Sequence, residues 1–201
     1  MPPPFSMEAV RPFLVVGLGN PGRRYARTRH NAGFMVLDRL AAAEGVAFRE
    51  RPEFALAEWA GGYLMKPLTY MNLSGRAVAP FVRKKGIPLD RLLVVHDDVD
   101  LPLGRLRFKR GGSDGGQKGV ASIIAELGDP GFDRLRIGVD RPPPGVDTAT
   151  WVLSPFSPRE LPLLDEVLAA AVEGVRVWKE AGLAEAQARF NGLDLRSSAA
   201  S

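Results

Sequence analysis

Two runs of four consecutive apolar residues constrain this chain more than any other feature. Phe13-Leu14-Val15-Val16 gives way to Gly17-Leu18-Gly19, and Leu92-Leu93-Val94-Val95 gives way to His96-Asp97-Asp98. A short run with no polar alternation, bounded by turn residues, is the pattern of a strand covered on both faces. Leu135 to Val139 is read as the last strand. Between these runs the period changes. Phe34, Leu37, Leu40 and Ala41 recur at helical spacing up to a stop at Gly45, and a second helix is predicted through Val78, Phe81 and Val82 to Lys84-Lys85 and Gly86, capped by Asn72 or Ser74. Residues from Phe54 to Met65 alternate around Gly61-Gly62, a hairpin signal. From Arg105 to Lys109 the alternation places Arg105, Arg107 and Lys109 on one face of a strand and Leu106 and Phe108 on the other. A glycine loop over 111–119 then enters a helix through Ile123, Ile124 and Leu127; prolines at 142–144 mark a turn, and a helical region follows from about Pro158 to Gly182. Strands alternating with helices, plus a hairpin, predict one α/β domain with a mixed central sheet flanked by helices, its site in the loops at the strand ends.

That domain is expected to occupy 11–193 of the 201 residues, with a disordered extension over 1–10, where Met7 is an alternative start, and a flexible tail over 194–201. A content of 45% apolar and 25% charged residues is that of a globular protein. No apolar run reaches the roughly 18 residues that span a bilayer, and no basic leader precedes one, so a cytoplasmic protein without membrane contact is expected. The absence of cysteine excludes disulfides, thiol catalysis and iron–sulfur ligation, and the two histidines, 66 positions apart, form no local zinc pair. Neither metal nor cofactor is expected. The 27 basic against 23 acidic residues suit a polyanionic partner, and their distribution says more: four arginines fall between Arg23 and Arg29, and Arg105, Arg107, Lys109, Arg110 and Lys118 form a second group.

Two motifs are decoys. Gly17-Leu18-Gly19-Asn20-Pro21-Gly22 matches the dinucleotide fingerprint literally, but that fingerprint needs a helix to open inside the glycine turn, and here Pro21 and the arginine stretch intervene. Gly111-Gly112-Ser113-Asp114-Gly115 matches a nucleophile elbow, yet both histidines precede Ser113, the wrong order for an α/β-hydrolase. What remains are Asn20, His30, Asn31, Asn72 and Asp97 at strand and helix ends. A histidine held by a carboxylate is the minimum for general-base activation of water, and asparagine amides can position a carbonyl or an oxyanion. Each also has a plain structural reading: Asn20 serving its turn, Asn72 capping its helix, His30 a satisfied residue at a helix start. His96 is read as structural, because neighbouring strand residues face opposite ways and it cannot share a cleft with Asp97.

Four blocks carry a resemblance: FLVVGLGNPGRRYARTRHNAGF (13–34), KPLTYMNLSGRAV (66–78), VVHDDVDLPLGRLRFKRGGSDGGQKGVASI (94–123) and FDRLRIGVDRP (132–142). In order and spacing the chain resembles the bacterial-type peptidyl-tRNA hydrolase family over about nine tenths of its length. The resemblance implies hydrolysis of the ester joining a peptide to the terminal ribose of tRNA, freeing stalled tRNA, by a monomer needing no cofactor. It gives His30 the role of base and Asp97 that of its orienting carboxylate. Asn20, Met71 and Asn72 then contact substrate, Tyr25 lies where the tRNA end enters, Arg107 and Lys109 meet tRNA phosphates, and 145–160 corresponds to a mobile lid. Gln117-Lys118 stands where many members have His-Asn, which changes how the substrate end is held; Gln117 still hydrogen-bonds and Lys118 offers a phosphate a cation. The rival reading is a non-catalytic RNA-binding member of the same fold.

Overall fold

The computed structural model describes residues 11–196. The expected extension over 1–10 lies outside the described residues, as does the expected tail beyond Arg196; Leu195 N–H donates to the Gly104 carbonyl at 3.0 Å. Seven strands form one sheet: β1 (Leu14–Gly17), β2 (Arg49–Glu50), β3 (Phe54–Trp59), β4 (Gly62–Pro67), β5 (Leu92–Asp98), β6 (Leu106–Arg110) and β7 (Asp133–Gly138). Their order is β2-β3-β4-β1-β5-β7-β6. β4, β1, β5 and β7 run parallel, whereas β3 pairs antiparallel with β4 and β6 antiparallel with β7. This is the mixed sheet the patterning predicts. The fully apolar runs occupy its centre, where both faces are covered, and Ala60 and Gly61 make the predicted hairpin turn with positive φ.

Six helices flank the sheet: α1 (Ala32–Glu44), α2 (Ser74–Lys85), α3 (Lys118–Leu127), α4 (Thr148–Val152), α5 (Leu161–Ala181) and α6 (Leu183–Phe190). Alternate residues of β5 sort between two cores. Leu93 and Val95 pack with α1, α5 and α6 on one face, and Leu92 and Val94 pack with α2 and α3 on the other. The capping expectation for α2 is corrected here. Leu73 holds the cap position, neither Asn72 nor Ser74 supplies a side-chain cap, and the Ser74 hydroxyl instead donates to the Met71 carbonyl at 2.7 Å. Asn72 is exposed because a 3-10 turn over Met71–Leu73 directs Met71 inward. Neither α4 nor α6 is predicted from the sequence.

β1 sets the position of the site. The chain leaves it through α1 toward β4 on one side, then returns through α2 to β5 on the other, so a crevice opens beyond its carboxyl end. β1 stops at Gly17, opposite Val95, while β5 continues to Asp98. The start of α1 presses directly on this end: a Cβ on Gly33 would lie 2.3 Å from the Val95 carbonyl oxygen and 2.4 Å from Leu18 N. Only glycine permits that approach.

Candidate active site

The segment from Gly17 to Ala32 contains two short 3-10 turns, Arg23–Tyr25 and Arg29–Asn31, before α1 begins. No helix opens within the glycine turn, and the dinucleotide reading fails on that ground. The second turn delivers His30 over the end of β5. Its Nδ1 lies 2.9 Å from Asp97 Oδ2, and both residues are buried. A carboxylate only accepts, so a neutral ring places its proton on Nδ1 and leaves Nε2 as the free lone pair. His30 lines an open pocket of about 530 Å³ with Asn20, Met71, Asp97, Gln117 and Lys118.

The asparagines divide the work of holding this wall. Asn31 is locked onto the backbone of Asn20: its Oδ1 accepts from Asn20 N at 2.9 Å and its Nδ2 donates to Asn20 O at 3.0 Å. Asn20 Oδ1 accepts from Met71 N at 2.8 Å, which joins the first loop to the turn before α2. That leaves the Asn20 amide NH₂ without a partner among the described residues, at the pocket lining.

Gln117 occupies both sides of its amide. Oε1 accepts from Val120 N at 2.8 Å and caps α3, while Nε2 donates to Asp97 Oδ1 at 3.0 Å and lies 3.3 Å from Met71 Sδ. Asp97 therefore has each oxygen engaged, one by His30 and one by Gln117. The resemblance implies a substrate contact for Gln117; its side chain lines the pocket and its amide also braces Asp97 beneath the pair. Lys118, the first residue of α3, is exposed on the pocket rim.

The predicted site residues are not all brought together. Asn72 and Tyr25 do not line the pocket; Tyr25 is half-buried with its ring edge-on to exposed Tyr70, centroids 6.4 Å apart. Ser113 is exposed, and its Oγ accepts from Gly115 N at 3.3 Å with no histidine beside it, which removes the nucleophile-elbow reading. Other lining residues come from elements the periodicity gave no sign of: Thr148, Ala149 and Val152 of α4, and Leu153 after it.

His96 faces away from the pocket. It is buried on the α2/α3 face, its Nδ1 is 2.8 Å from the Asp97 carbonyl oxygen, and Nε2 has no partner among the described residues. Burial depresses its proton affinity below the ordinary histidine value, although the neighbouring Asp97 carbonyl and carboxylate work against that shift. The same face carries a basic surface beyond the helices. Register pairs Arg107 with Arg136 and Lys109 with Arg134, so all four project together. Arg134 supports the glycine loop, donating to the carbonyls of Ser113, Gly112 and Pro130, and Arg136 is paired with Asp98 at 2.6 Å. Lys109 has its pKa lowered by partial burial and by the charges of Arg134 and Arg136. Asp114, an odd acid beside such a surface, closes a local turn with the Gly116 N–H at 2.7 Å.

Together these features define a class: an α/β protein with a histidine–carboxylate pair in a crevice at its parallel strand ends, beside a cationic sheet face. The family model for peptidyl-tRNA hydrolase matches residues 14–198. The chain belongs to the peptidyl-tRNA hydrolase family. It is 58% identical over 183 residues to the peptidyl-tRNA hydrolase of Thermus thermophilus, covering 91% of this chain and 98% of that protein. The Deinococcus deserti peptidyl-tRNA hydrolase is 44% identical over 190 residues, covering 91% and 86% respectively. The crystal structure of the Acinetobacter baumannii peptidyl-tRNA hydrolase superposes with a TM-score of 0.85 at 34% identity, covering 91% of this chain and 96% of that one. Among the described residues no helix is long and apolar enough to cross a membrane, and no three acidic or histidine side chains are grouped to hold a metal ion.

Proposed function

We propose that this chain hydrolyses peptidyl-tRNA, with His30 as the general base. The carrying observation is the 2.9 Å contact between His30 Nδ1 and Asp97, which leaves Nε2 directed at the pocket's solvent. Water attacks the carbonyl carbon of the peptide–ribose ester while Nε2 takes its proton. As the tetrahedral intermediate collapses, the ester C–O bond breaks and the proton passes from Nε2 to the ribose oxygen, releasing peptide acid and free tRNA. Asp97 fixes the tautomer and supports the imidazolium. The Asn20 amide, unpaired at the wall, serves as a hydrogen-bond donor to the carbonyl oxygen as charge develops there. Gln117 positions Asp97, and Lys118 with Arg107 and Lys109 receives phosphates. Met71 shapes the substrate end of the pocket, while Asn72 and Tyr25 act outside it, toward the entering strand.

An ester asks for no stronger nucleophile than a positioned water. Single-turnover release of labelled peptide from peptidyl-tRNA is the direct test. Turnover by the wild-type chain and its loss in His30→Ala is expected; binding of tRNA without any turnover by the wild type would establish the non-catalytic alternative instead.

A further inference from the structure

A second groove, of about 470 Å³, lies beside the first and is lined by Arg23, Arg24, Ala26, Arg27, Thr28, Leu153 and Pro155. Leu153, 44% exposed, lines both cavities, so the groove and the His30 pocket meet at that side chain. Among the described residues no carboxylate lines it, and no Asp or Glu occurs from residue 9 to residue 37. Arg23, Arg24 and Arg27 are exposed and form no ion pair or hydrogen bond through their side chains among the described residues. Other exposed arginines, such as Arg51, Arg76 and Arg159, also lack a carboxylate partner among the described residues, but they do not share one groove; Arg23, Arg24 and Arg27 line a single one. Three exposed arginines lining one groove with no acidic partner among the described residues give it a net positive potential that attracts an anion.

The groove is built rather than incidental. The arginine loop and the segment after α4 are stitched together by a bridge between Thr28 and Pro155, by Arg29 N to Ser154 O at 3.1 Å and by Phe156 N to Arg27 O at 3.1 Å. Beneath them Arg29 is buried, its guanidinium 3.4 Å from the Trp151 ring centroid, hydrogen-bonded to the Pro155 carbonyl at 3.1 Å and paired with Glu160 at 2.6 Å. A buried charge with this many partners is held in one geometry, because moving it away would leave it desolvated and unpaired. The rim arginines are thereby presented on a fixed floor.

We propose that this groove is a second RNA site, in which Arg23, Arg24 and Arg27 hold phosphates of the substrate's acceptor strand where the groove meets the pocket at Leu153. The inference rests on peptidyl-tRNA being the substrate. All three cations are arginine, whose planar fork meets phosphate oxygens two at a time. Arg24 lies 5.1 Å over the Tyr25 ring, and Tyr25 meets exposed Tyr70, so guanidinium and aromatic surfaces alternate as single-stranded nucleic acid requires. Together with Lys118 on the rim of the His30 pocket, these arginines give the phosphates of the substrate a second cationic contact beside the ester.

The test is equilibrium binding of deacylated tRNA to the full chain over a salt series, comparing wild type with Arg23→Gln/Arg24→Gln/Arg27→Gln. Each phosphate contact contributes roughly 0.7–0.9 to the slope of log affinity against log salt, so losing all three should lower the slope by about two to three. The charge-retaining triple lysine variant should recover most of the slope, which separates charge from damage to the fold. KM for peptidyl-tRNA should rise in the glutamine variant equally whether the attached peptide is acidic or neutral. An unchanged slope overturns the site, and a KM effect confined to acidic peptides overturns it in favour of a peptide groove. Because deacylated tRNA needs no hydrolysis, a wild-type chain that binds normally but fails to turn over would sink the activity while leaving this site standing.

Discussion

The two faces of β5 at Asp97 hold the chain's two histidines, and the strand treats them oppositely. On the α1 face His30 is bound by the Asp97 carboxylate and opens onto a pocket. On the α2/α3 face, one residue back, His96 is bound by the Asp97 backbone carbonyl and is sealed, with Nε2 unpartnered. The same residue thus holds a pocket-lining ring through its side chain and a sealed ring through its main chain. The difference teaches that what makes a histidine available for chemistry is where its second nitrogen looks, since each has the first nitrogen satisfied by the same aspartate. Side-chain alternation along a strand enforces the split.

The largest effects should follow from breaking the open side. His30→Ala should lower the single-turnover rate by about 10²–10⁴-fold, the usual contribution of a general base, with tRNA affinity retained. Asp97→Asn should act on the same step, since an amide no longer stabilises the imidazolium or enforces the tautomer. The double variant should then be little worse than the single ones; losses that multiply in a rate measurement would show two independent groups and break the pairing.

Gln117 sharpens the comparison because it reaches Asp97 from α3, the helix on the sealed face. Gln117→Leu removes a hydrogen bond to a charged group, worth about 1.5–3 kcal/mol, and also the helix cap. A fall in kcat/KM of about tenfold or more is expected, together with a lower melting temperature. If the melting temperature drops while kcat/KM holds, Gln117 is a cap and nothing more.

The sealed side should show in stability against pH. Burial holds His96 below the ordinary value of 6.5, so as pH falls through that value the unfolded chain takes up a proton that the folded chain refuses. Stability contributed above 6.5 is therefore lost on acidification, at up to about 1.4 kcal/mol per pH unit in the window between the folded and unfolded values. His96→Asn keeps a donor near Nδ1 and removes the titration. Urea unfolding at pH 7.5 and 5.5 should give a smaller loss for this variant than for wild type, with turnover little changed; equal losses would show that His96 is not excluding protons.

Much of this was legible in the sequence, and the limits have physical causes. The apolar runs announced β1 and β5, and the alternation gave Arg107 and Lys109 on one face, because burial pattern is local; Arg105, expected on the same strand face, lies before β6 and donates to the Asn191 carbonyl at 2.9 Å. His30 and Asp97 could be named as candidates, but their contact depends on β1 and β5 being parallel neighbours, which no local pattern encodes. The short helix α4 spans only five residues, too few to show a period, yet it walls the pocket. α6 follows directly on the Gly182 stop signal, where a helix end was expected and a new start was not. Asn72 illustrates the opposite error. A good capping residue stands one position before the cap, and the 3-10 turn leaves it exposed. Gln117 was seen as a hydrogen-bonding residue, but its two partners come from separate elements and only packing brings them to one amide.

The smallest effect is expected at Lys118, where the sealed face's helix meets the open pocket. The residue is exposed at the first position of α3, where a cation opposes the helix dipole, so its own element gives it no stabilisation. Two readings follow. A lysine merely facing water should be silent, while one that meets a tRNA phosphate contributes equally in ground and transition states. In the second case Lys118→Ala raises KM with little change in kcat, because uniform binding does not lower the chemical barrier. It should also reduce the slope of log affinity against log salt by nearly one, the share of a single phosphate. Lys118→Asn should lower the slope as much while leaving an amide at the rim, so a KM better than that of the alanine variant would show the amide placing the substrate end. An unchanged salt slope in Lys118→Ala would assign the residue to solvent and leave phosphate binding on this flank to Arg107 and Lys109. α3 would then contribute to the pocket only through Gln117, and the division between the two faces of β5 would be sharper by one residue.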